Sequence, residues 1–384
     1  MVDLKGQYQN IKSEVDNAIQ SVIDRTQFIK GSDVKEFEQN LAEYLQVKHV
    51  ISCANGTDAL QIAMMALELK PGDEVIVPVF TYIATAEVIG LLGLVPVMVD
   101  VDPNTFCIDV AQVVAKITSN TKAIVPVHLF GQCANMEELM KVAISNNLYV
   151  IEDTAQAIGA NYTFKNGDVK SAGCIGDIGT TSFFPSKNLG CYGDGGAMFT
   201  NDDKLAEKIR MICNHGQKVH YVHDVIGVNS RLDTIQAAIL NVKLARLREY
   251  EKARNVAAES YDSILGECNW LEIPERNSQS THVFHQYTVK IKEGKEIRDY
   301  LRKSMAEKGI PTMIYYPIPL HLQKAFATED LGVGSFTVSE ILCDSVLSLP
   351  IHTEMTEEMV LYIADNLKLS YHEIAQLGLV KIGF

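Results

Sequence analysis

The stretch Thr181-Ser182-Phe183-Phe184-Pro185-Ser186-Lys187-Asn188-Leu189-Gly190, running on into Gly193-Asp194-Gly195-Gly196-Ala197, decides the reading of this 384-residue chain. One lysine sits in a short polar loop, with an apolar-aromatic, strand-like run before it and a glycine-rich turn after it. Such a loop can hold an amine ready to attack a carbonyl. Upstream, the apolar run Leu148-Tyr149-Val150-Ile151 ends in Glu152-Asp153-Thr154-Ala155-Gln156. A lysine able to form a Schiff base and an acid able to protonate a pyridine nitrogen are the pair that pyridoxal phosphate (PLP) requires.

Around these segments strands and helices alternate. Residues 50–52, 74–77, 95–99, 123–127 and 148–151 read as strands, and residues 58–69, a segment from about 84, and 136–146 read as helices. Nearly continuous apolar strands between helices predict an α/β fold, with a large, mostly parallel sheet buried on both faces. Two helices precede it, at 8–23 and 34–45, the second begun by Ser32-Asp33. A long helical pattern follows Arg231 to about residue 265. Beyond it come a strand at 283–291, a helix at 296–308, a strand around 313–316 and a last helix near 355–367, the sequence of a smaller α+β domain. The length exceeds what one core usually supports. The expected division is an N-terminal helical segment, 1–30, packing on or near the small domain, a large PLP-binding domain, 31–245, and a small C-terminal domain, 246–384.

Composition narrows the partners. A formal charge of -14 argues against nucleic acid and anionic membrane surfaces, while leaving room for an anionic small molecule held by local cations and helix N-termini. The 8 cysteines are scattered with no C-x-x-C pair, so neither metal nor a disulfide framework is expected. The start, Met1-Val2-Asp3-Leu4-Lys5, has no apolar signal core, and the run 88–99 is broken by Gly90, Gly93 and Pro96. A cytoplasmic enzyme without a membrane span is the expectation.

PLP makes three further demands. Its phosphate wants a helix N-terminus, and Ala54-Asn55-Gly56-Thr57-Asp58 lies where strand turns into helix. Its ring wants an aromatic face, and Phe80-Thr81-Tyr82 follows the strand ending at Val77. Its ring oxygen wants a donor, and Gln156 lies three residues beyond Asp153. Each has an ordinary structural explanation when taken alone: an N-cap, core packing, a strand-end cap, a solvated lysine. Their order, and their shared position at strand ends, is what points to a cofactor site.

The chain resembles the DegT/DnrJ/StrS-type PLP-dependent sugar aminotransferases over nearly its whole length. The matching segments are Gly56-Thr57-Asp58-Ala59-Leu60, Pro78-Val79-Phe80-Thr81-Tyr82-Ile83-Ala84-Thr85, Val99-Asp100-Val101-Asp102, Pro126-Val127-His128-Leu129-Phe130-Gly131, Glu152-Asp153-Thr154-Ala155-Gln156, the lysine loop, Asn214-His215-Gly216, Gly227-Val228-Asn229-Ser230-Arg231 and Tyr315-Tyr316-Pro317. The resemblance implies that Lys187 bonds the cofactor aldehyde, Asp153 pairs with the pyridine nitrogen, Gln156 contacts the ring hydroxyl and Tyr82 stacks on the ring. It places Gly56, Thr57, Asp58 and Ser182 at the cofactor, with Asn229 reaching the phosphate of a neighbouring subunit in a homodimer with shared active sites. Arg231, Tyr315, Tyr316 and His321 fall where substrate contacts are expected, although Tyr315 stands where the nearest subgroup would have a histidine. That subgroup aminates UDP-2-acetamido-3-keto-glucuronic acid with L-glutamate, which implies a role in surface polysaccharide such as lipopolysaccharide O-antigen.

Two other readings follow from the same residues. PLP-dependent sugar dehydratases of this family carry histidine at the lysine position, which Lys187 argues against. A non-catalytic PLP-binding sensor or regulator is the second, although the acidic chain shows no basic helix-turn-helix.

Overall fold

The computed structural model describes residues 1–328 and 330–376. Its centre is a seven-stranded sheet in the order His49–Cys53, Gly196–Thr200, Ile178–Ser182, Tyr149–Asp153, Thr121–Ile124, Glu74–Pro78, Val95–Val99. Every pairing from Ile178–Ser182 to Val95–Val99 is parallel. Gly196–Thr200 alone runs antiparallel to both its neighbours. This is the α/β, mostly parallel sheet expected from the apolar strands.

Both faces of the sheet are covered. On one, Gly56–Ala66 and Ala84–Leu91 pack through Ala59, Ile62, Val88 and Ile89 onto Val75, Val77 and Ile151. On the other, Met136–Asn146 packs through Met136, Leu139 and Ala143 onto Ile76, Ile124 and Val150. Alternation along each strand separates these sets, which sends neighbours such as Glu152 and Asp153 to opposite sides. The carboxyl ends of the parallel strands lie along one edge, where ligands of such sheets bind.

The long helical pattern after Arg231 is two helices, Thr234–Leu244 and Leu247–Leu265, broken where Arg246 leaves helical geometry at φ -107 and ψ 1. Past the break, the antiparallel strands Leu271–Glu272, Tyr287–Ile291 and Val346–Leu349 pack with Leu247–Leu265, Lys295–Glu307 and Glu357–Gln376 around Tyr261, Leu301, Leu347 and Leu367. The N-terminal helix Leu4–Arg25 lies mainly on Thr234–Leu244, through Ile11, Val15 and Ile239. It also meets the later segment, where Gln7 Nε2 donates to Thr353 Oγ1 at 3.2 Å and Asn10 Nδ2 donates to Glu354, and Glu14 pairs with Arg246 at the break.

Two expected strands differ. The strand expected at 283–291 begins at Tyr287, because the residues before it bond elsewhere: Val283 N–H donates to the Gly131 carbonyl at 2.8 Å, and Phe284 takes φ 44. The strand expected around 313–316 does not form. Met313 makes a lone bridge to Ser348, and the chain then turns toward the sheet edge ahead of Pro317 and Pro319, which cannot donate to a ladder. Asp100, just past the strand Val95–Val99, caps a remote helix, Thr337–Ser345. Its carboxylate accepts from the N–H groups of Val338 and Ser339, both at 2.9 Å. Among the described residues no helix is long and apolar enough to cross a membrane.

Candidate active site

The carboxyl edge of the sheet opens into a cavity of about 670 Å³, lined by Gly56, Thr57, Tyr82, Asp153, Gln156, Ser182, Lys187, Tyr315 and Tyr316 among others. That volume is in the range of small-molecule sites. Four separate strand ends, a helix start and two later segments, 285–286 and 315–316, contribute to it, so it exists only in the folded chain.

At one end stands the start of Gly56–Ala66. Asn55 Oδ1 accepts the N–H of Asp58 at 2.8 Å, which caps the helix. The N–H groups of Gly56 and Thr57 precede the first intrahelical bond and face the cavity edge beside Ser182, the composition of an anion cradle. Gly56 is required there by close approach, since a Cβ at that position would lie 2.7 Å from Ser182 Cβ. Asp58 takes no part in the lining; its carboxylate accepts the Ser230 hydroxyl at 2.6 Å instead.

In the middle lies Asp153, 6% exposed. Oδ2 accepts the Thr85 hydroxyl at 2.9 Å and Oδ1 accepts the Ala155 N–H at 3.1 Å, which fixes the carboxylate plane. Its neighbour Glu152 points the other way and is fully buried. It accepts the N–H groups of Gly173, Ile175 and Gly176 at 2.9, 2.7 and 2.6 Å and lies 2.9 Å from His128 Nε2. His128 Nδ1 accepts the Ala134 N–H, so the ring proton sits on Nε2 and is donated to Glu152. Burial pushes the Glu152 carboxyl up, but the His128 bond and the backbone donors outweigh it and hold the group below its ordinary value. A buried carboxylate so fully bonded anchors the strand that presents Asp153.

Gln156 bridges two elements. Its Oε1 accepts the Phe130 N–H at 2.9 Å and its Nε2 donates to the Tyr316 hydroxyl at 3.1 Å. Burial raises the Tyr316 phenol above its ordinary pKa, so it remains protonated. Tyr82 is 58% exposed, with its ring 6.3 Å from that of Tyr316 at the cavity mouth.

Lys187 extends into the cavity from the loop after Ile178–Ser182. Its amine is shielded from water, and this lowers its pKa from 10.5 to about 8, with Asp153 opposing the shift. A lysine in this state supplies free amine near neutral pH.

Three further expected residues lie outside the lining: Asn229, Arg231 and His321. Asn229 is exposed and Arg231 half-buried, on the segment 227–231. His321 is fully buried, with Nε2 3.1 Å from Glu340 Oε1; Glu340 also accepts the N–H groups of Gly334 and Phe336. It ties its own segment to the start of the helix Thr337–Ser345 and does not line the cavity. Sequence reasoning missed Thr85 as the partner of Asp153, and it missed His285, which lines the cavity from a segment that reads as ordinary strand.

The residues present fit PLP on observations of this structure: a helix start that only glycine permits, a bonded carboxylate under the cavity and a half-buried lysine of lowered pKa. The comparisons with known proteins agree. The sequence matches the DegT/DnrJ/EryC1/StrS aminotransferase family over residues 9–368. The chain belongs to that family, and it is a PLP-dependent aminotransferase grouped with sugar aminotransferases. It is 46% identical over 352 residues to the UDP-2-acetamido-2-deoxy-3-oxo-D-glucuronate aminotransferase of Pseudomonas aeruginosa, covering 91% of this chain and 94% of that one. It is 45% identical over 380 residues to a pleiotropic regulatory protein of Geobacillus stearothermophilus, covering 98% and 99%. The fold matches DesV of S. venezuelae, solved in complex with a ketimine intermediate, at a TM-score of 0.91 and 38% identity, covering 96% and 97%. Related structures hold the cofactor in its amino form.

Proposed function

We propose that this enzyme transfers an amino group from L-glutamate to a nucleotide-linked keto-sugar, UDP-2-acetamido-3-keto-glucuronic acid in the first instance, and releases 2-oxoglutarate. The observation that carries the reading is the 46% identity, over nearly the whole of both chains, to a relative named for that substrate. Bound PLP supplies an electron sink that lets an amino group leave one carbon and join another. Lys187 would bond the cofactor and, as a free amine, would move a proton at Nζ. Asp153, held by Thr85 and Ala155, would pair with the pyridine nitrogen. Gly56, Thr57 and Ser182 would hold the phosphate, Tyr82 would cover the ring, and Gln156 would contact the ring hydroxyl. Tyr315 and Tyr316 face the sugar.

Asn229 and Arg231 flank Ser230, whose buried hydroxyl bonds Asp58 at the helix start, yet neither lines the cavity of its own chain. We assign both to the cavity of a second copy, in a cytoplasmic homodimer with shared sites. Residues 31–245 form the cofactor-holding body and 246–384 the smaller domain, of which 329 and 377–384 lie outside the described residues. Polysaccharide assembly, as in an O-antigen, is the destination that such a product suits.

The test is a panel of nucleotide keto-sugars with glutamate, read by 2-oxoglutarate release. Turnover only with a different sugar would replace the substrate, and none with glutamate would replace the donor. Mixing Lys187→Ala with Asn229→Ala subunits should restore a fraction of sites if they are shared. A second reading, a PLP-binding regulator, is favoured by the 45% identity to a pleiotropic regulatory protein. Absence of turnover with every sugar, despite bound cofactor, would favour it.

A further inference from the structure

His285 is a titratable group of the cavity lining that the reading above leaves without a task. It is 6% exposed and lines the same space as Lys187 and Asp153. Its backbone is pinned. Val283 N–H donates to the Gly131 carbonyl at 2.8 Å and Gln286 N–H to the Phe130 carbonyl at 3.3 Å. Gly131 passes so near that a Cβ there would lie 3.0 Å from the His285 nitrogen.

The tautomer follows from donor accounting. His285 Nδ1 lies 3.2 Å from Asn188 Oδ1. The amide nitrogen of Asn188 is already engaged, donating to the Val283 carbonyl at 2.9 Å. The atom facing the imidazole is therefore an oxygen, which only accepts. Nδ1 must carry the proton, and Nε2 keeps a lone pair that no protein group among the described residues bonds. Asn188 directly follows Lys187, so one loop sets both the lysine and the histidine tautomer. The charges around the ring are Lys187, with Asp153 beside it, and Arg254, whose buried guanidinium donates to the carbonyls of Phe284 and Ile351. Burial first, then these two cations, hold the imidazole well below its ordinary pKa, so it stays neutral while Lys187 titrates near 8.

We propose that His285 is a positioning residue for Lys187: its Asn188-locked Nε2 lone pair, unbonded in this structure, is the acceptor to which the Lys187 ammonium can turn across the shared cavity when that amine is not bonded to cofactor. The pair then holds one proton between two bases, and the freed lysine has a defined resting place against the cavity wall. This rests on Lys187 being the cofactor lysine.

The experiment titrates Lys187 in the full-length, cofactor-free protein by competitive acylation with acetic anhydride, read by peptide mass spectrometry. The wild-type midpoint should fall near 8. His285→Leu should lower it by roughly one pH unit, because the ammonium loses a charge-assisted acceptor. His285→Gln, which offers an amide oxygen near the Nε2 level, should bring it back. A midpoint unmoved by His285→Leu, or a glutamine variant that behaves as the leucine one, overturns the proposal. Nitrogen-15 spectra of histidine-labelled wild-type protein need no variant: His285 should show a protonated Nδ1 and a bare Nε2, and the reverse tautomer overturns it. Borohydride reduction of loaded protein, with the adduct mapped by mass spectrometry, separates the two readings. An adduct on another lysine removes the cofactor assignment, whatever the titration shows.

Discussion

Thr85 and Asp153, 68 positions apart in sequence, are joined by a buried 2.9 Å hydrogen bond between the threonine hydroxyl and Oδ2. The bond ties the start of the helix Ala84–Leu91 to the end of the strand Tyr149–Asp153. The carboxylate therefore cannot turn away from the cavity without leaving a hydroxyl unpaired. Thr85→Val keeps the shape and deletes the bond. A hydrogen bond to a charged group contributes about 1.5–3 kcal/mol, so kcat/KM should fall between roughly ten- and a hundredfold. Thr85→Ser should stay near wild type, and steady-state kinetics on both variants decide the point.

Gly56→Ala places a methyl group 2.7 Å from Ser182 Cβ. Helix start and strand end must then part, and the two free N–H groups move with them. Cofactor affinity should drop at least about tenfold, the equivalent of 1.4 kcal/mol, with secondary structure unchanged. Fluorescence titration of the cofactor-free variant with PLP measures it; an unchanged dissociation constant would remove Gly56 and Thr57 from the phosphate site.

Lys187 should cost stability in the cofactor-free protein. A folded-state pKa of about 8 against 10.5 corresponds to roughly 3 kcal/mol as an upper limit. The sign is fixed by linkage. Between about 8 and 10.5 the unfolded chain binds the proton that the folded chain has released, so stability rises with pH across that window and the full cost is present below it. Cofactor-free Lys187→Met should therefore melt higher than wild type at pH 7, with the difference shrinking toward pH 10. Equal melting temperatures at pH 7 would mean that the amine is well solvated.

Glu152 works in the opposite sense. Its pKa lies below 4.5 in the folded chain, so its stabilisation is present above that value and is lost as pH falls through the lower, folded one. Glu152→Gln would aim an amide NH2 at groups that only donate, and should cost about 3–5 kcal/mol at pH 7. Urea denaturation at pH 7 and pH 4 should show a large loss at the first and a smaller one at the second.

Much of this site was legible because its parts sit where strands end. The runs before Gly56, Tyr82, Asp153 and Lys187 are apolar and short, and punctuation by Gly, Pro or Asp marks the edge where each emerges. What stayed hidden was pairing at long range. Nothing local says that Asp58 bonds Ser230, or that His321 faces Glu340 instead of ligand. The segment around His285 reads as continuous strand because its composition is that of a strand. Only the folded chain shows its first residues bonding to Gly131 and Asn188. The long helix after Arg231 has no proline or glycine at its break, so periodicity alone ran through it.

Tyr316 meets Gln156 across 160 positions of sequence, and the helix beyond it hangs on Asp100 from still farther away. The consequence is one of timing. During synthesis the sheet can assemble long before the tyrosine-bearing loop leaves the ribosome, and until it arrives the lysine chamber lacks one wall. A ribosome stalled after the sheet but before that loop would display a well-formed sheet with an unfinished pocket.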